Sequence, residues 1–478
     1  MASETDTAPG PTRAPSGILV GEYLWITIGA CALVFLGAFE SLAVTTVMPV
    51  VSADLGGERL YALAFAGPLA TGVIGMVVAG NWSDRRGPSA PLYTSVAAFV
   101  VGLLVAGFAS TMEIFVVARF AQGLGSGAMT VALYVVVARV YPKDRLPAIF
   151  AAFAAAWVVP SLIGPTVAGF VTELLSWHWV FLGVVVLVVF ALLMVVPALK
   201  GLSREGDSAA PWALGRLGWA VLAAIAVLVL NLTGDVPAVG PALAAVAIVI
   251  ALIAVRPLVP KGALLVRRGL PAVIFVRAVV AAAFFATQIY LPYLLVDEYA
   301  FTPTLAGLVL TGAALAWSTA SMVQGKLGMR LASERAVLIG TALVLSGVAV
   351  VLVATTLVLS PVVIFAAWVF AGAGMGLASP RLSTLILSMS TPEDQGFNSS
   401  AMTVADSFGT ALALAVTGVL FAALSAGGYG FIVVFGLAAL LALVAVVAAP
   451  RVQNSGRTGD FRRSGPDSGA AVVNSPEL

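Results

Sequence analysis

Apolar stretches of helical length, broken by short polar turns, run along almost the whole chain. A helix needs roughly 20 apolar residues to cross the hydrocarbon core of a bilayer, and the pattern predicts spans at 25–49, 61–79, 91–109, 113–139, 147–172 and 177–199. A polar break follows from Lys200 to Arg216, carrying Arg204, Glu205, Asp207 and Pro211. Two shorter apolar segments, 217–234 and 240–255, flank a TGDVP turn; they read as two spans, with a re-entrant hairpin as the alternative. Beyond a basic linker holding Arg256, Lys261, Arg267 and Arg268 come six more spans, at 270–296, 303–323, 335–357, 361–388, 397–424 and 429–449. The expected fold class is an all-α polytopic membrane protein of 14 transmembrane helices, ordered six, two and six.

The ends break the pattern. Residues 1–24 are rich in Pro, Thr, Ser and Gly and lack the basic start and short apolar core of a cleavable signal, so a disordered tail before a retained first span is expected. Residues 450–478, with Arg457, Arg462 and Arg463, read as a second disordered tail, basic enough to touch anionic membrane lipid. Between them the expected units are 25–199, a linker at 200–269 holding the two extra spans, and 270–449.

Composition agrees: 61% of residues are hydrophobic and 10% charged, with mean hydropathy +1.07, against roughly 25% charged in a soluble domain. The distribution of charge says more than its sum. With both termini in the cytoplasm, the 24 lysines and arginines fall in internal loops and tails, apart from Arg59 in an outer loop and Arg119, Arg277 and Arg381 inside spans. The positive-inside rule therefore predicts cytoplasmic termini on a multi-pass protein of the plasma membrane.

The polar inventory excludes several classes. One cysteine, Cys31, and one histidine, His178, leave no disulfide, no Cys-based metal site and little for an enzyme, and no cofactor is expected. His178 lies between two tryptophans at a span end and reads as an interfacial anchor. No phosphate-binding loop separates the spans, which disfavours direct ATP coupling, and no repeated ring of pore-lining residues suggests a channel. A secondary transporter of small molecules remains, acting as a monomer without a nucleic-acid partner.

Four segments carry a resemblance. Gly80 to Gly87, GNWSDRRG, reads as a short charged loop after the second span and resembles the signature loop of major facilitator superfamily transporters. Gly80, Asp84, Arg85 and Gly87 keep the pattern, while Trp82 and Ser83 replace Leu and Ala, and Pro88 and Ser89 stand where basic residues are usual. In that family such a loop implies a cytoplasmic latch; the plainer reading is a solvated turn. Its later counterpart at Gly325 has Met329 in place of the acid. The fourth span opens ARFAQGLGSGA, whose Arg119, Gln122 and following glycines resemble a motif of proton-coupled members; an arginine inside a span is a functional candidate by default. In the fifth span Gly164, Pro165 and Gly169 resemble the stretch typical of antiporters, with Pro160 and Ala168 departing from it, and Pro165 is expected to kink the helix. In the first span, FESLAVTTVMP resembles a segment of the 14-span drug:proton antiporters, with Glu40 in the acid's place and Leu42 and Thr45 departing.

At ~1.5 Å per residue, Glu40 lies about 13 Å and Arg119 about 9 Å from the outer ends of their spans, so the two can share a layer. Burial favours the neutral acid and an adjacent arginine the ionised one, which ties protonation to whether the pair is made. Arg277, Arg381 and Asp406 fall about 10, 10 and 13 Å from the cytoplasmic ends of theirs, so Asp406 can pair with either arginine, for structure or for coupling. Gln288 and Tyr290, in ATQIYLPYLL, resemble a seventh-helix segment of 12-span relatives and are expected to line the cavity or to bind helices together.

A weak internal echo, GSGAM near Gly125 and AGAGMG at Ala371 to Gly376, points to a repeat of six-helix halves with the substrate site between them, the architecture the resemblance implies. The implied function is export of lipophilic or cationic drugs in exchange for protons; the alternative is transport of a specific metabolite or lipid.

Overall fold

The computed structural model describes residues 18–19, 21–142, 145–200, 214–233, 240–327, 331–390 and 395–453. Most of the two expected tails, residues 201–213 of the polar break, residues 234–239 of the central turn and Met329 lie outside the described residues. Among the described residues the chain is α-helical apart from turns and short 3-10 segments. In chain order the helices are α1 (Leu24–Asp54), α2 (Tyr61–Arg86), α3 (Ser89–Gly107), α4 (Met112–Val140), α5 (Leu146–Leu174), α6 (His178–Leu199) and α7 (Leu214–Leu232). They continue with α8 (Gly240–Val255), α9 (Leu270–Asp297), α10 (Pro303–Leu327), α11 (Ser333–Thr356), α12 (Pro361–Ser388), α13 (Gln395–Leu424) and α14 (Gly430–Ala448).

Among the described residues eleven helices are long and apolar enough to cross a bilayer, and α5 makes a twelfth if its two arms count as one span. The central pair falls short of the fourteen expected: its apolar runs are Leu214–Leu230 and Ala242–Leu258. The 16 residues of α8 rise about 24 Å against a hydrocarbon core of about 30 Å.

Packing repeats along the chain. α1 lies against α5 and α6, α2 against α4, and α3 against α4 and α6; in the same way α9 lies against α13 and α14, α10 against α12, and α11 against α12 and α14. The two groups meet along two seams, α5 on α10 and α2 on α13, and α7 leans on α2 and α13 together.

The glycine echo in the sequence is the core of this repeat. A Cβ on Gly123 or Gly127 would strike the backbone of Pro68 or Gly72 in α2, and one on Gly125 the backbone of Phe99 in α3. In α12, Gly372 and Gly376 meet Ala313 and Trp317 of α10 in the same way, and Gly374 meets Gly340 and Val344 of α11. Each central helix is thus clamped by alternating glycines between two neighbours, the close backbone approach that small residues allow where lipid removes any hydrophobic drive for helices to associate.

One sequence expectation changes here and one holds. Gly80 to Arg86 is not a loop but the last turns of α2, whose end carries Arg85 and Arg86 where the helix dipole favours cations. The chain turns only at Gly87, at φ 79°, a conformation glycine adopts without steric cost. The fifth helix does bend, by 43° between Ala155–Ser161 and Ile163–Leu174. That is where Pro165 deprives the carbonyl of Ser161 of its hydrogen bond and crowds it.

Gly127→Leu should lower the melting temperature in detergent by the equivalent of about 3 kcal/mol or more, because backbone rather than a side chain would have to yield. Gly183→Ala, which meets nothing within 4 Å, should leave it unchanged.

Candidate functional site

One interior layer is built around a single guanidinium. Arg119 projects from α4 and donates from Nε to the carbonyl of Ala64 in α2 at 3.1 Å. Its Nη1 donates to Glu40 Oε1 of α1 and to Gln122 Oε1, one turn further along α4. Side-chain exposure is 6% for both Arg119 and Glu40, so the pair is nearly closed off from its surroundings. These bonds occupy Nε and Nη1, three of the five N–H donors an arginine carries. Beside them Gln122 Nε2 is buried without a hydrogen-bond partner among the described residues, a donor held ready next to the ion pair. Glu40 and Arg119, expected to share a layer, meet in it, and Gln122 of the same motif joins them; the part played by Ala64 carried no side-chain signal.

The later half has its own polar layer, and it resolves which arginine Asp406 pairs with. Arg277 of α9 donates from Nε to both carboxylate oxygens of Asp406 in α13 at 2.9 Å, and its Nη1 reaches Ser379 O at 3.0 Å and Ser383 Oγ at 2.8 Å in α12. Arg381 turns instead to α10, donating to Gln324 Oε1 at 2.5 Å and Gln324 O at 3.3 Å. The Arg277–Asp406 pair is more open than the first, at 16% and 27% exposure.

The two halves differ at the level of Arg119. Trp368 precedes Gly372 by the one-turn interval that separates Arg119 from Gly123, and it is fully buried. Its ring stacks on Phe284 at 4.6 Å, and Phe284 meets Trp317 edge-on at 5.5 Å. A charged cluster in one half thus stands where the other half has an aromatic one. Gln288 and Tyr290 are both buried in α9. Tyr290 joins a second aromatic cluster, with ring centroids 5.6 Å from Tyr61 and 5.2 Å from Phe421.

That second cluster bridges the halves at the end of the bundle far from Arg85. Tyr61, at the start of α2, donates its hydroxyl to Ile289 O of α9 at 3.0 Å and packs on Tyr293 at 4.9 Å. On the other seam, at the same end, Thr304 N–H of α10 donates to Glu173 Oε1 of α5 at 3.0 Å, and the hydroxyls of Thr166 and Thr311 are 3.1 Å apart. The α5 motif makes this seam close: a Cβ on Gly169 would meet the Thr304 backbone, and Gly307 sits against Pro165 O. Gly164 faces Phe39 with ordinary clearance. Nearby, Trp177 Nε1 donates to Asp54 Oδ2 at 2.9 Å and stacks on His178 at 3.7 Å, which ties α6 to the end of α1.

At the opposite end Gly80 and Arg85 lie within α2, Gly87 follows it, and the side chain of Asp84 lies outside the described residues. Arg139 of α4 donates to the carbonyl of Ser83 at 3.4 Å, an internal tie for the end of α2 that the sequence motif did not mark.

A sequence model of the Major Facilitator Superfamily matches residues 30–286 and 273–466. A probable multidrug-efflux transporter of Mycobacterium tuberculosis is 26% identical over 442 residues, covering 87% of this chain and 91% of that protein. Multidrug resistance protein 3 of Bacillus subtilis is 27% identical over 157 residues, 33% of this chain and 31% of its own. Among solved structures, a POT family transporter in complex with 5-aminolevulinic acid superposes with a TM-score of 0.67 at 15% identity, covering 91% of this chain and 98% of that one, and so shares the fold.

Arg119→Ala would strand Glu40 without its counter-charge and should cost about 3–5 kcal/mol of stability, read as a lowered melting temperature in detergent. Glu40→Gln keeps an acceptor for Arg119 and should lower it clearly less; equal losses would mean the pair is not the stabilising contact.

Proposed function

Because the chain belongs to the major facilitator superfamily, we propose that it is a secondary active transporter that exports lipophilic or cationic compounds in exchange for protons by alternating access. The observation that carries this reading is the enclosed Glu40–Arg119–Gln122 cluster. It is the one acid in a span that pairs with a charge at so little exposure among the described residues. Protonating Glu40 cancels its attraction for Arg119 and frees the guanidinium to seek other acceptors, so proton arrival and helix position become linked. A cationic substrate competes for the same carboxylate, which makes proton and substrate binding mutually exclusive. The buried Nε2 of Gln122 supplies a neutral donor for a substrate acceptor beside it.

Alternating access has its parts in the two seams between halves, 25–199 and 270–449. With both termini cytoplasmic, as the basic loops argue, the Tyr61–Tyr290–Tyr293–Phe421 cluster and the Glu173–Thr304 contact close the outer face, which supports an inward-facing state. Asp84 and Arg85, with Gly80 and Gly87 framing them, are assigned to the cytoplasmic closure of the other state. The weak similarity to multidrug-efflux proteins over most of the chain supports drugs over a single metabolite.

In proteoliposomes with an imposed pH gradient, the wild type should move several unrelated cationic dyes, and Glu40→Gln should fall to the protein-free background. Intact substrate-driven proton release by Glu40→Gln would remove the coupling role, and flux of one metabolite or lipid with no drug transport would establish the alternative reading. In a Cys31→Ser background with one reporter cysteine at each face, Asp84→Asn should raise cytoplasmic labelling and lower outer labelling; unchanged labelling would reduce the end of α2 to a topological turn.

A further inference from the structure

A cavity of about 320 Å³ runs between α8 and the faces of α9, α13 and α14, and its lining is apolar: Leu252, Phe275, Ala282, Phe408, Leu412 and Leu441 are representative. One end is formed by Val259, Ala263 and Leu264 of the linker between α8 and α9.

That linker is a folded cap rather than a loose loop. The N–H groups of Leu265 and Arg267 both donate to Gly262 O at 3.2 Å, Val266 N–H donates to Ala263 O at 3.0 Å, and Gly269 N–H donates to Arg451 O at 3.0 Å. Gly262 and Gly269 take φ of 90° and 86° to make these turns. The fold buries Val259 and Ala263 and leaves Arg256, Lys261, Arg267, Arg268 and Arg451 exposed. Residues 256–269 contain no acid. The positive-inside rule accounts for basic residues on this face but not for a hydrogen-bonded cap whose Val259, Ala263 and Leu264 close on an apolar slot.

Five exposed cations on the segment that carries the lining residues Val259, Ala263 and Leu264 and on the adjoining Arg451 complement an amphiphile with an anionic head and a hydrocarbon tail, the chemistry by which basic pockets between transmembrane helices hold lipid head groups. We propose that this slot binds an anionic glycerophospholipid of the cytoplasmic leaflet, with an acyl chain between α8 and α9, α13 and α14, and its phosphate on Lys261, Arg267 and Arg268. The site is independent of what the protein transports. It gives the short helix α8 a role as one wall of a lipid slot.

The test uses the purified full chain in detergent, titrated with phosphatidylglycerol or phosphatidylcholine of the same acyl chains and read by native mass spectrometry. The wild type should retain one phosphatidylglycerol at least about tenfold more tightly than phosphatidylcholine, with a preference that shrinks at high salt. The triple variant Lys261→Gln, Arg267→Gln, Arg268→Gln alters only exposed side chains and should lose that preference. Leu441→Trp should fill the slot and lose retention of both lipids. Equal retention of the two lipids by the wild type, an unchanged preference in the triple variant, or wild-type retention by Leu441→Trp would each overturn the proposal.

Discussion

The guanidinium of Arg119 sits where almost no water reaches, and every bond it makes must therefore come from the protein itself. It draws on α1 through Glu40, on α2 through the carbonyl of Ala64, and on its own helix through Gln122. Three helices are thereby held at one depth and in one rotation. The bond to Ala64 fixes the depth of α2, and Glu40 does the same for α1. Without those partners the charge would be too costly to keep, and without the charge α1 would lose its ion pair to α4.

The glycines make that geometry reachable. Gly123, Gly125 and Gly127 bring α4 into backbone contact with α2 and α3, which shortens the distance Arg119 must span to Ala64. The later half uses the same spacing at Gly372, Gly374 and Gly376 but fills the corresponding layer with Trp368 and Phe284. One packing rule thus serves two interiors of opposite character. The halves share a scaffold and divide the chemistry: titratable on one side, aromatic on the other, with the Arg277–Asp406 pair set nearer the basic face.

Much of this was legible in the sequence because lipid imposes strong rules on it. Apolar runs gave the helices, Glu40 and Arg119 stood out as charges inside spans, and Pro165 marked the bend in α5. What stayed hidden has physical reasons. The end of α2 looked like a loop since Asp84, Arg85 and Arg86 are polar, yet helices continue past the hydrocarbon, where polar residues are no obstacle. The central pair reads as two spans because both runs are apolar, yet α8 keeps the expected bounds of 240–255 and its 16 residues are too few to cross the hydrocarbon core. The choice of Asp406 between Arg277 and Arg381 was set by which neighbour offered an alternative, and Gln324 claimed Arg381. The aromatic closure of Tyr61, Tyr290, Tyr293 and Phe421 joins residues far apart in the chain and carries no local pattern at all.

The position of α7 makes the two seams mechanically unequal. It rests on α2 and α13 at once, so any rocking of one half against the other shears α7 along at least one of them. On the opposite side α5 and α10 present Val159, Ile163, Leu308 and Leu315 outward, with no helix across them among the described residues. The α2–α13 seam behaves as a strapped hinge and the α5–α10 seam as a free lip. A motion that parts the two halves would then meet resistance on the α7 flank and little along the other.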